Sequence, residues 1–156
     1  MSNINEEWNK VLVQAMGDTF EGISFSEVIE HNVIEEPFSL AGEVYGCALN
    51  MEDPLHVCFT LYITKPHVVE SFEAISGLDP EEFSEELLVD FVRELTNTAA
   101  GHLSNLMAPN KKDMIIGLPE NVPKDKASAK VVSNDHTLAL RLQVEMFETV
   151  CTLSKL

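Results

Sequence analysis

Residues 87–107, LLVDFVRELTNTAAGHLSNLM, limit the possible folds more than any other stretch. Leu87, Leu88, Phe91, Leu95, Ala99, His102 and Leu106 recur at the three-and-four spacing of an α-helix. A helix this long with one apolar face must be covered, by other helices or by a sheet. Alternating segments elsewhere predict the sheet. In LHVCFTLYITK, Leu55, Val57, Phe59, Leu61 and Ile63 point one way, and His56, Cys58, Thr60, Tyr62 and Thr64 the other. FSLAGEVYGCALNM precedes it across a predicted Asp53-Pro54 turn, which predicts a hairpin. ISFSEVIEH is a weaker strand candidate. After the long helix, DMIIGL, ASAKVV and TLALRLQVEMFETVC read as strands, the last carrying Leu138, Leu140, Leu142, Val144 and Met146 in alternation. PENVPKDK reads as a polar loop.

Two more helices are predicted. Trp8, Val11, Leu12, Ala15, Met16 and Phe20 place one over residues 3–20, with Gly22 to break it. Pro66 opens a short one, closed by Gly77. Asp79 then caps the long helix, with Pro80 at its first position. The sequence therefore predicts an α+β fold: a mostly antiparallel sheet of about six strands with three helices packed on it. At 156 residues, positions 1–156 are expected to form one domain.

Composition narrows the function. A net charge of −16 repels polyanions, so nucleic acid and anionic membrane are not expected as partners. No apolar run approaches the roughly 18 residues of a membrane span, and MSNINEEWNK is no signal peptide, so a cytoplasmic location is expected. Cys47, Cys58 and Cys151 lack CxxC spacing and fall in apolar segments, as reduced core residues do. The five histidines show no ligand spacing, and no metal site is expected.

The polar side of the long helix is unusual. With Asp90 at zero, Glu94 falls at about 40°, Asn97 at about −20° and Gly101 at about 20°. The apolar residues centre near 130° to 160°, so this stripe should be exposed. A polar face is ordinary for two acids. Asn and Gly are not the residues an exposed helix selects for stability, since Gly costs about 0.5–1 kcal/mol against Ala in a helix interior. Glycine leaves a dent where another surface can approach. An amide is neither nucleophile nor base, but it can hold a water in line for attack, as a glutamine does in GTP hydrolysis. The electrophile and any metal must then come from a partner.

ELTNTAAG, Glu94 to Gly101, resembles the E-x-x-N-x-x-x-G motif of the CheC/CheX chemotaxis phosphatases. Their wider pattern adds an Asp or Ser four residues before the Glu, met by Asp90. It also has a Pro about 22 residues beyond the Asn. Pro119 follows Asn97 after 21 residues, as a one-residue loop deletion would give. The resemblance covers residues 3 to about 153 in element order. It implies a phosphatase acting on the aspartyl phosphate of a CheY-type receiver domain. Asn97 would orient the water and Glu94 would pair with a receiver lysine. Gly101 would permit close approach, and Asp90 and Pro119 would border the docking surface. It implies no cofactor of the chain's own, the magnesium ion being held by the receiver. Glu6-x-x-Asn9 on the first helix echoes the motif, but Val13 stands where the glycine would be. One site points to the CheX-like branch, whose members can form dimers, so a homodimer is an expectation. The alternative is a non-catalytic module of the same fold that docks a receiver, or a deamidase as CheC-like proteins do. A flagellar-switch or scaffold role is a third option.

The remaining candidates have plainer readings. The acids of PEEFSEE suit the first turns of a helix, whose amide groups they complement. His102, at about 120° on the wheel, reads as a packed core histidine.

Overall fold

The structure is a computed structural model that describes residues 3–52, 55–107 and 114–156, with side chains from residue 6. The Asp53-Pro54 turn lies outside the described residues. The elements in order are α1 (Asn3–Ser24), β1 (Val28–Val33), β2 (Val44–Glu52), β3 (Val57–Thr64), α2 (Lys65–Ser76), α3 (Glu85–Met107), β4 (Ile115–Ile116), β5 (Glu120–Val122), α4 (Lys124–Ala127), β6 (Thr137–Val144) and β7 (Phe147–Lys155).

The fold is α+β, and the seven strands form one sheet in the order β1-β6-β7-β3-β2, with β4 and β5 both paired to β2. Every pairing is antiparallel. Exchanging β1 with β5, β2 with β6 and β3 with β7 returns the same order reversed, and carries α1 onto α3. The topology is thus two similar halves related by an approximate twofold through the β3–β7 pair.

Alternation builds the core. Val57, Phe59, Leu61 and Ile63 of β3 and Leu138, Leu140, Leu142 and Val144 of β6 point to one face. There they meet Leu12, Met16 and Phe20 of α1 and Leu88, Leu95, Ala99 and Leu103 of α3. The other face carries a smaller cluster of Ile34, Leu40, Val44, Ala127, Ala139 and Val150. Cys47 and Cys151 are buried, Cys58 is half-buried, and all three are free thiols.

Several predicted boundaries are corrected. Helix α1 runs through Gly22 to Ser24 and ends where Phe25 takes a left-handed φ of 55°. Asp79 caps a single 3₁₀ turn, Pro80–Glu82, through its side chain and Glu81 N. The long helix starts separately at Glu85, where the Ser84 hydroxyl accepts from Leu87 N at 3.1 Å. ASAKVV is no strand: only Val131 makes a bridge, to Phe38. PENVPKDK holds β5 and all but the last residue of α4. TLALRLQVEMFETVC is a hairpin of two strands, turning at Glu145 and Met146, so Met146 is exposed rather than part of the apolar row. Together these changes raise the sheet from the expected six strands to seven. Gly77 closes α2 as expected, at φ 69°.

Candidate functional site

Helix α3 is unbroken from Glu85 to Met107. Its buried residues include Leu88, Phe91, Val92, Leu95, Thr96, Ala99, Ala100 and Leu103. They span the side opposite Asp90, Glu94 and Asn97, which are all exposed. Leu87, predicted on the apolar face, is exposed, and His102 is half-buried rather than a core residue. Thr96 sits inside the buried face. Its hydroxyl donates to Val92 O at 2.8 Å, which satisfies the group within its own helix.

Asn97 and Glu94 lie one turn apart with little to restrain them. Thr98 Oγ1 is 3.5 Å from Glu94 Oε1, too long to fix the carboxylate. Among the described residues, no ion pair engages Glu94 or Asp90. A Cβ built on Gly101 would meet nothing within 4 Å, so the glycine leaves open space rather than relieving an internal clash. No group of three or more His, Cys, Asp and Glu among the described residues could hold a metal ion. The stripe is a helix surface, not a cleft.

Pro119 lies on the sheet edge that borders α3, between β4 and β5. Val122 and Val92 line one cleft, which ties β5 to the first half of α3. Met114 N donates to Ser104 Oγ at 2.8 Å, which ties the start of β4 to the second half. The edge between them therefore runs alongside α3 and brings Pro119 about level with Asn97. On the wheel Val89 falls at about −100° and Ser104 at about −40°, so this edge lies on the side to which Asn97 leans. Pro119 itself is half-buried.

The near end of α3 is anchored by charge. Tyr45 Oη donates to Glu85 Oε1 at 2.7 Å. Lys65 lies 3.3 Å from Glu43 and 3.6 Å from Glu85, and Lys124 lies 3.8 Å and 3.9 Å from the same pair. The Tyr45 hydrogen bond holds the Glu85 carboxyl below its usual range, helped by the two lysines. Burial, then Glu85, pushes the Tyr45 phenol up. These residues border the cleft of about 270 Å³ lined by Val44, Val89, Val92 and Val122, which neither Glu94 nor Asn97 enters. Sequence reading missed this cluster because its members come from four separate segments.

The second candidate, on α1, differs. Glu6 is exposed, but Asn9 is half-buried, and its Oδ1 is fully buried with no hydrogen-bond partner among the described residues.

No family sequence model matches the chain, and no curated protein is similar to it in sequence. Solved structures are similar in shape. A CheC-like superfamily protein from Shewanella sp. PV-4 superposes with a TM-score of 0.74 at 15% identity, over 99% of this chain and 98% of that one. The chain has a CheC/CheX-type fold. CheX from Borrelia burgdorferi, solved in a CheX–CheY–BeF3–Mg complex, matches with a TM-score of 0.68 at 11% identity, over 94% of this chain and 96% of that one. FliM from H. pylori, solved in a FliM–SpeE complex, matches with a TM-score of 0.63 at 9% identity, over 99% and 89% of the two chains. The CheC/CheX-type fold is therefore shared with a protein of a different name, and chemistry must be argued from the stripe. No helix among the described residues is long and apolar enough to cross a membrane.

Proposed function

We propose that this protein hydrolyses the aspartyl phosphate of a CheY-type receiver domain, with α3 as the half-site it contributes. The observation that carries the reading is one unbroken helix holding Glu94 and Asn97 in solvent on one face, with open space over Gly101. The Asn97 carbonyl accepts a hydrogen bond from a water and sets its lone pair in line with phosphorus. The water oxygen forms the new P–O bond as the bond to the receiver aspartate breaks. The products are a free carboxylate and inorganic phosphate, which takes up the water's proton. Glu94 pairs with a receiver lysine and fixes the approach. A magnesium ion held by the receiver would offset charge on the phosphoryl oxygens. Asp90 and Pro119 flank the contact.

The test is the decay of a phosphorylated receiver with and without the protein, beside Asn97→Ala. Faster decay that vanishes in the variant supports the reading, and unchanged decay with every receiver of the same genome overturns it. The second reading, a docking module without turnover, draws on the FliM likeness, since the fold also occurs in a protein captured in a complex with SpeE. In that case complexes form while decay stays unchanged. A homodimer is compatible with either reading, and sedimentation of the purified protein tests it.

A further inference from the structure

The sheet edge beside α3 breaks register once. Met51 pairs with Ile116, and Ala48 pairs with Glu120. Between these pairs, Leu49 and Asn50 of β2 face Gly117, Leu118 and Pro119, so the edge carries one extra residue. That is a β-bulge, and bulges of this kind re-aim side chains. Gly117 makes it possible. Its N–H donates to Asn50 O at 2.7 Å, and a Cβ there would stand 3.0 Å from the same oxygen. The chain is pinned at Gly117, stiffened by Pro119 and pinned again at Glu120. Leu118 between them is 87% exposed, the most exposed of the large apolar residues among those described.

A lone exposed leucine on a loose loop is ordinary. This one is held on both sides by the sheet. Protection of a sheet edge does not account for it, because charged residues or proline do that without presenting an apolar tip. Its position supplies the reason. Leu118 adjoins Pro119, which stands about level with Asn97, on the side to which Asn97 leans. A protein that delivers a phosphorylated carboxylate to Asn97 therefore approaches the edge that carries Leu118.

We propose that Leu118 is the apolar anchor of the docking face, seating in an apolar recess beside the phosphorylated aspartate of the receiver. The inference rests on the receiver reading above. Asp90 and Glu94 are exposed on α3 and give the docking face an acidic margin. Such an arrangement, an apolar anchor held rigid beside a polar margin, is what gives a contact most of its affinity.

The experiment is a titration of the full chain against a receiver loaded with beryllofluoride and magnesium, with turnover measured in parallel. Leu118→Ser is expected to raise Kd and KM about tenfold and to leave kcat within about twofold. Leu118→Met is expected to restore binding. Thermal midpoints should match the parent, since the side chain covers nothing. A Kd within twofold of the parent for Leu118→Ser overturns the anchor while leaving the phosphatase reading intact. A parent protein that neither binds nor dephosphorylates any receiver overturns both.

Discussion

Helices α1 and α3 hold equivalent places in the two halves of the sheet, yet only α3 holds the amide of its Glu-x-x-Asn stretch in solvent. Matching Glu6-x-x-Asn9 to Glu94-x-x-Asn97 pairs Trp8 with Thr96, Leu12 with Ala100, Ala15 with Leu103 and Met16 with Ser104, and every one of these is buried. The buried faces coincide, and the difference lies at the rim. On α3 the amide is in solvent and Gly101 leaves space beside it. On α1 Asn9 turns its oxygen into the protein with no partner among the described residues, and Val13 fills the glycine's place. A shared backbone framework does not carry function, while two side chains at its margin can.

The sharpest break of that comparison is in turnover. Asn97→Ala is expected to slow receiver dephosphorylation by a hundredfold or more, roughly 3 kcal/mol of barrier, while Asn9→Ala leaves the rate within about twofold. Single-turnover decay of the phosphoreceiver measures both. Comparable losses would make the two helices functional equals.

The far end of α1 offers the next effect. His67 stacks between Phe20 of α1 and Phe147, with centroids at 5.3 Å and 4.7 Å, and its Nδ1 lies 3.0 Å from Thr149 Oγ1. Burial lowers its pKa from 6.5 to about 4. The folded state thus holds the ring neutral where the unfolded chain would protonate it. Stability is full above pH 6.5 and is lost as pH falls towards 4, by up to about 3 kcal/mol. Urea melts across that window should show the slope, and His67→Phe should flatten it. An equal slope in the variant would place the titration elsewhere.

Smaller effects sharpen the contrast. Glu94→Gln is expected to raise KM about tenfold, or about 1.4 kcal/mol, with Glu6→Gln silent; steady-state kinetics on both will tell. Asn9→Leu removes an unpaired buried oxygen and should stabilise by about 1 kcal/mol in chemical denaturation, whereas Asn97→Leu should not. Gly101→Ala should add about 0.5–1 kcal/mol of helix stability, because nothing obstructs the methyl group, while lowering turnover. A variant both stabler and equally active would deprive the glycine of its assigned part.

The sequence made regular periodicity legible and left compensated irregularity hidden. The long helix, the β2–β3 hairpin and the alternating core rows follow from spacing alone. The β6–β7 turn could not be seen, because Glu145 adopts a left-handed φ of 52° without being Gly or Asn. Two contacts distant in sequence and one local one offset that strain. Glu145 Oε2 accepts from Glu27 N at 2.8 Å, Glu145 N donates to Glu27 O at 3.1 Å, and Gln143 Nε2 donates to Glu145 O at 2.7 Å. Phe25 likewise ended α1 where glycine was expected to do so. At the candidate site, the exposure of Glu94 and Asn97 was readable from helical angles. The position of Pro119 and the bulge beside it were not, because they depend on how β4 and β5 register against β2.

The reversed strand order has a consequence for how the molecule assembles. Each half gives its outer strand away: β1 of the first pairs with β6 of the second, and β5 of the second pairs with β2 of the first. The central pairing joins Val57 to Lys155, almost a hundred positions apart. Neither half can complete its own sheet, so the search for the native state must close long chain loops before they are repaid. Folding is therefore expected to be slow for a chain of this size and concerted, with both halves lost together on unfolding.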